Sequence, residues 1–263
     1  MMDRSLSCLI AASNFEEYLI LRNSRPPALL IYVFTLVVGL ALFSCSSKKT
    51  AVKDFDAENN EDSAPEASIK RGVKPLPDDQ VAVIETADYG SIVLELYPNI
   101  APQMVERFKK LVVEGFYNGT TFHRVNLESG LIQGGDPLSK DDDPANDGNG
   151  DSPYANVPAE LSDVPFDRGT LGAARKGATP EFGYQPGLTE AQARETANCQ
   201  FFITLKHQPQ FDEHYTVFGR VIGGITNAEI IMGAPVEPET EAPADKIVIK
   251  SITLQPRSKY ITI

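Results

Sequence analysis

The sequence predicts a mainly β domain, a closed barrel with two flanking helices. Three observations carry that expectation. Short runs of Val, Ile, Leu and Phe recur between turn residues, several alternating apolar with polar side chains. Only two long stretches repeat their apolar residues at helical spacing. Strands therefore outnumber helices, and a closed barrel is the economical way to leave no exposed edge.

The folded part opens at Gln80. Val81, Val83, Ile92, Leu94 and Leu96 alternate with their neighbours around the turn-like Ala87-Asp88-Tyr89-Gly90, which predicts a hairpin with one buried face. Pro102 suits a first helical turn, and Met104, Phe108, Leu111 and Val112 follow at helical spacing until Gly115 ends the run. Thr121 to Val125 reads as a strand, and Leu171-Gly172-Ala173-Ala174 as a strand that something approaches closely. Residues 175–198 form a long insertion in which 189–194 predict a short helix. Strands follow at Gln200–Leu205, Thr216–Val221 and Lys246–Ile252, with a helix capped by Asn227 and ending at Gly233.

The N-terminal part has a different character. Residues 28–44 are apolar and uncharged, follow Arg22 and Arg25, and end at Cys45, which is the layout of a secretory signal. Leu42-Phe43-Ser44-Cys45 resembles a bacterial lipobox, so 1–44 is expected to be a signal of lipoprotein type and Cys45 the lipidated residue. The alternative, a single membrane-spanning anchor, needs about 20 apolar residues and meets a shorter run here. Residues 45–79 are rich in Ser, Lys, Asp, Glu and Pro and read as a flexible linker. The domain then covers 80–256, with 257–263 as a C-terminal tail. These features together place the protein in the cell envelope, held by a lipid at Cys45.

Charge and cysteine content narrow the partners. The net charge of the 263 residues is −12, and residues 1–44 hold three basic and three acidic groups, so the excess lies beyond them. Such a surface repels phosphate backbones, which argues against nucleic acid. Beyond Cys8 and Cys45 only Cys199 remains, so no disulfide framework is expected.

Familiar catalytic signatures are missing from the sequence: no phosphate loop, no Gly-x-Ser-x-Gly, no His-Glu-x-x-His and no Cys-x-x-Cys. His123, His207 and His214 are scattered and receive no role. The acidic run from Asp141 to Asp151 departs from EF-hand spacing, with Ala145 and Tyr154 at ligand positions, and reads as a solvated loop. No metal and no cofactor are expected. What remains is a fixed cation, Arg124, two amides, Gln133 and Gln200, and Phe202 set among Phe122, Leu131 and Phe211. Phe201 and Phe202 must face opposite sides of their strand, so one enters the core and the other needs a pocket to line.

Phe122-His123-Arg124-Val125, Gln133-Gly134-Gly135-Asp136-Pro137, Gln200-Phe201-Phe202-Ile203 and Val217-Phe218-Gly219-Arg220-Val221 resemble, in that order and approximate spacing, the motifs of cyclophilin-type peptidyl-prolyl isomerases. The resemblance spans about residues 80–255. It implies an eight-stranded antiparallel barrel and isomerisation of X-Pro bonds, with proline-containing segments of exported proteins as partners and a monomeric domain. It implies Arg124 as the catalytic residue, Gln133 and Gln200 as holders of the substrate backbone, and Phe202 as the floor of a proline pocket. Phe122, Leu131, Ala174, Phe211 and Tyr215 are implied as further substrate-binding residues. The chain departs from the pattern at Asn126–Gly130, where the segment is one residue longer and Gly130 replaces a common Phe. Arg175 also stands where an Asn often binds the peptide, and Gln210 about where some members have Trp.

Overall fold

We describe the protein from a computed structural model, covering residues 68–178, 187–237 and 240–261. The expected signal, Cys45 and most of the expected linker lie outside the described residues, as does part of the 175–198 insertion.

The opening hairpin pairs β1 (Gln80–Thr86) with β2 (Ser91–Leu96) in antiparallel register, Val83 opposite Val93. It is buried on both faces, not one. Ala82, Ile84, Ile92 and Leu94 join the main core, while Val81, Val83 and Val93 pack with Ile222 in a small second cluster on the other side. Helix α1 (Pro102–Val113) then lies across the sheet and buries Met104, Val105, Phe108, Leu111 and Val112. Its N-cap residue, Ala101, has no side chain to satisfy the first amides. The carboxylate of Glu160 does so from a distance, accepting from the N–H groups of Gln103 (3.1 Å) and Met104 (2.9 Å), where the helix end also favours negative charge.

The remaining strands are β3 (Arg124–Asn126), β4 (Leu131–Gly134), β5 (Thr170–Ala173), β6 (Phe201–Thr204), β7 (Val217–Gly223) and β8 (Ile249–Pro256). All eight form one antiparallel sheet in the order β3-β4-β6-β5-β7-β2-β1-β8. The sheet curls until its outer strands approach. Closure is made by irregular backbone, not by a ladder: Thr121 bridges Val248, Phe122 N–H donates to Ile247 O (2.9 Å) and Gly119 N–H to Ile249 O (2.9 Å). The interior is filled by Phe108, Tyr117, Phe122, Phe201 and Phe218 among aliphatic side chains.

Two more helices complete the fold. α2 (Glu190–Arg194) starts with a capping box in which Thr189 and Gln192 satisfy each other's backbone. α3 (Ile225–Met232) begins at Gly224, so Asn227 lies inside the helix and does not cap it; its amide reaches across to Ser91 O (2.8 Å).

Packing also begins before Gln80. Lys70 forms a parallel bridge with Ser162 and donates through Nζ to Ile100 O (2.6 Å), Arg71 grips both carboxylate oxygens of Glu213, and Leu76 N–H bonds Asn99 Oδ1 (2.8 Å). The segment from Lys70 to Asp79 therefore runs along the domain as a strap. At the other end, Arg257 bonds Glu95 (2.8 Å) and Asp79 O, so the start of the expected tail is part of the packed structure.

Candidate active site

The site grows out of strand register. Arg124 on β3 lies directly opposite Gln133 on β4, and Gln133 opposite Phe202 on β6. Three antiparallel neighbours thus present a cation, an amide and an aromatic ring side by side on one face. The turn between β3 and β4 makes this register possible. Asn126 Oδ1 accepts from Ser129 N–H (2.6 Å), Gly130 adopts φ +62°, and Leu205 N–H donates to Gly130 O (2.6 Å). A side chain at 130 would be strained there and would strike Lys206, which accounts for glycine in place of the larger residue.

Below the face, Phe202 stacks on the buried Phe166, with ring centroids 5.5 Å apart and planes 18° from parallel. Phe211 and Tyr215 meet Phe202 edge-on at 5.8 and 5.4 Å. Together with Leu131 and Ala174 they enclose a cavity of about 370 Å³ roofed by Arg124 and Gln133. A second cavity of about 530 Å³ adjoins it, sharing Arg124, Gln133, Ala174 and Arg175 and extending under the acidic loop to His123, Asp147 and Gln200. Arg124 therefore stands at the junction of an apolar chamber and a polar one.

A chain of hydrogen bonds fixes the junction. Arg124 Nη1 donates to Gln133 Oε1 (3.3 Å), Gln133 Nε2 donates to Gln200 Oε1 (3.0 Å), and Gln200 Nε2 donates to Gly148 O (3.0 Å) and Gly150 O (2.9 Å). Gln200 thus ties the acidic loop to the site, and its amide is already engaged at both ends. The loop itself is built from Asx turns: Asp141 accepts from Asp143 N–H, Asp143 from Ala145 N–H, and the buried Asp136 from Leu138 N–H and Gly148 N–H. Among the described residues no group of His, Cys, Asp and Glu is arranged to hold a metal ion.

Of the nine binding and catalytic residues expected in this domain, seven line the apolar chamber: Arg124, Leu131, Gln133, Ala174, Phe202, Phe211 and Tyr215. Gln200 lines the polar chamber. Phe122 lines neither; it is fully buried, edge-on to Phe201 in the barrel interior. Alternation from Arg124 would have put it on the pocket face, but the backbone at Phe122 and His123 is not strand, and the two-residue period breaks there.

Residues 81–254 match the family described as cyclophilin type peptidyl-prolyl cis-trans isomerase/CLD. The chain belongs to this family. It is 37% identical over 180 residues to a probable peptidyl-prolyl cis-trans isomerase of Brucella suis, an alignment covering 66% of this chain and 84% of the relative. Its fold is similar to the crystal structure of a cyclophilin type isomerase from Cryptosporidium parvum, with a TM-score of 0.55 and 30% identity over 67% of this chain and 97% of that one. A second crystal structure of that Cryptosporidium protein, in the presence of the dipeptide Ala-Pro, gives a TM-score of 0.54 at 27% identity, over 66% of this chain and 98% of that one.

The reaction of this cyclophilin is peptidyl-prolyl cis-trans isomerisation. Several residues that shape its site escaped sequence reasoning. Phe166, in a stretch without strand or helix pattern, is the second layer of the aromatic floor. Arg175 is a brace: its nearly buried side chain donates to His214 O (3.2 Å), pairs with Glu190 (2.6 Å) and sits 4.5 Å above the Tyr215 ring. The 175–198 insertion thus supplies, through α2, the carboxylate that fixes a wall residue of both chambers. Glu241, from the loop before β8, contacts Arg124 itself (Nε to Oε2, 2.6 Å). His123 is buried, and burial pushes its pKa down to about 4. Asp147, facing the same chamber, is pushed up to about 6, first by burial and then by the charge of Asp136. Burial likewise raises the Cys199 thiol to about 12, which leaves it inert as a nucleophile.

Proposed function

We propose that Arg124 catalyses the isomerisation by acting on the proline nitrogen while the apolar chamber holds the ring. Rotation about an X-Pro bond breaks amide resonance against a barrier of roughly 18–20 kcal/mol. In the twisted state the nitrogen becomes pyramidal and gains a lone pair. A guanidinium N–H aimed at that lone pair binds the twisted state more strongly than the planar one, which is what lowers the barrier. The observation that carries this reading is the position of Arg124 as roof of a chamber floored by Phe202 and Phe166, with Gln133 beside it. The apolar chamber suits a proline ring, and the polar one suits the residues before it. The Ala-Pro dipeptide used with the Cryptosporidium relative accords with this class of ligand.

The same reading extends to biological setting. The apolar run before Cys45, the lipobox-like Leu42-Phe43-Ser44-Cys45 and the polar stretch after it support a lipid-anchored protein of the cell envelope. There a monomeric domain would act on exported proteins, for which X-Pro isomerisation is a slow folding step. Protease-coupled turnover of a proline-containing peptide tests the chemistry: the wild type accelerates isomerisation, and Arg124→Ala loses about a hundredfold in rate while keeping its fold. Equal rates would overturn the assignment. Fractionation of cells carrying Cys45→Ala tests the setting, since the variant should leave the membrane fraction.

A further inference from the structure

Glu241 touches three consecutive residues of β3. Its Oε2 accepts from Arg124 Nε (2.6 Å), its backbone carbonyl accepts from Val125 N–H (2.8 Å), and its Oε1 accepts from the amide of Asn126. β3 is an outer strand of the sheet, and Glu241 takes up the Val125 N–H on its open edge. Glu241 holds the left-handed conformation at φ +58°, one of only two residues other than glycine to do so among the described residues. That conformation costs about 1–3 kcal/mol and persists only where the surroundings impose it. Here they do: Glu241 N–H bonds Glu237 O (3.0 Å), and Val236 bridges Pro243 to close the loop.

We propose that Glu241 is a positioning residue for Arg124, and that the loop before β8 is built to deliver it. The inference rests on the catalytic reading of Arg124 given above. The Arg124 side chain is 43% exposed, and a free arginine at such exposure samples many rotamers. Glu241 takes Nε and Gln133 takes Nη1, while Nη2 makes no hydrogen bond to a described residue. Two of the three nitrogens are thus fixed on protein, and the plane of the guanidinium is set before substrate arrives. A carboxylate this close also offsets much of the positive charge, which would be a poor arrangement for stabilising a full anion. The twisted X-Pro bond develops a lone pair and not a full charge, so the direction of an N–H matters more than net potential.

The test separates turnover from binding. NMR line-shape analysis of a proline-containing peptide with the full-length protein gives both quantities for the wild type, Glu241→Ala and Glu241→Gln. Glu241→Ala is expected to lose about tenfold in turnover, the scale of one charge-assisted hydrogen bond, with peptide affinity changed by less than about twofold. Glu241→Gln, which retains an acceptor for Arg124 Nε, should regain a clear part of the loss. Turnover undiminished in Glu241→Ala would overturn the proposal. So would parallel losses of turnover and affinity with no recovery in Glu241→Gln, which would mark a merely structural loop. An inactive wild type would instead strike the catalytic reading itself.

Discussion

Arg124 and Gln133 are nine residues apart in the chain yet directly opposed across β3 and β4, and the guanidinium donates to the amide oxygen at 3.3 Å. The same amide donates onward to Gln200, so Gln133 joins the Arg124 guanidinium to the loop that walls the polar chamber. One side chain therefore links the proposed catalytic cation to the shape of the polar chamber.

Gln133→Ala should for that reason impair more than one step. Arg124 loses its Nη1 partner and Gln200 loses the donor that aligns its oxygen, so turnover falls and KM rises together. A combined loss of about tenfold to a hundredfold in kcat/KM is expected, in keeping with one or two hydrogen bonds to charged or buried groups. A variant with unchanged KM would show that Gln133 acts only on Arg124.

Gly172 is the point at which the aromatic floor meets the sheet. A Cβ there would stand 2.4 Å from Phe202 Cζ and 2.8 Å from Phe166 Cε1, both in rings locked by stacking. Gly172→Ala should cost about 1–3 kcal/mol through overpacking and tilt Phe202 into the chamber. Thermal melting together with peptide turnover checks this: a lower Tm with full turnover would mean that the rings yield in another direction.

Acid response should depend on one buried and one partly buried group that work against each other. The His123 ring is held neutral, lowered to about 4 from 6.5, so its contribution to stability is present above about 6.5 and lost as pH falls through about 4. Asp147 is raised to about 6 from 3.8, so its contribution is full below about 3.8 and lost as pH rises through about 6. Between those limits the two trends oppose. Asp147→Asn should therefore show a steeper fall in Tm between pH 7 and 4.5 than the wild type, and His123→Asn a shallower one. Melting curves at a series of pH values decide it, and three parallel profiles would refute the pairing.

Much of the barrel was legible because local pattern and burial agree. Phe201 and Phe202 had to part, and they do, one packing on Phe108 and Tyr117 and the other on Phe166. The small residues at 171–174 signalled a close approach, and the approaching group is the Phe202 ring. Phe122 was misplaced because alternation holds only while backbone stays extended, and it lapses two residues before β3. The hairpin's second buried face depends on Ile222, more than a hundred residues away, which no local period encodes. Glu241, and the bracing contacts of Arg175, were invisible for the same reason. Arg175 starts the 175–198 insertion and Glu241 lies in the loop before β8; the destination of each is set by tertiary contacts, and a charged residue in a polar loop carries no sign of the arginine or glutamate it will meet.

The strap before β1 gives this cyclophilin a defined mechanical entry point. A pull on the chain ahead of Lys70 is borne first by the bonds of Lys70 to Leu161, Ile100 and Asp163, and by the two-pronged grip of Arg71 on Glu213. Glu213 lies in the turn between Phe211 and Tyr215, which are walls of the apolar chamber. The strap is therefore joined to the wall of the apolar chamber, through Arg71 and Glu213, before the chain enters the first strand of the barrel.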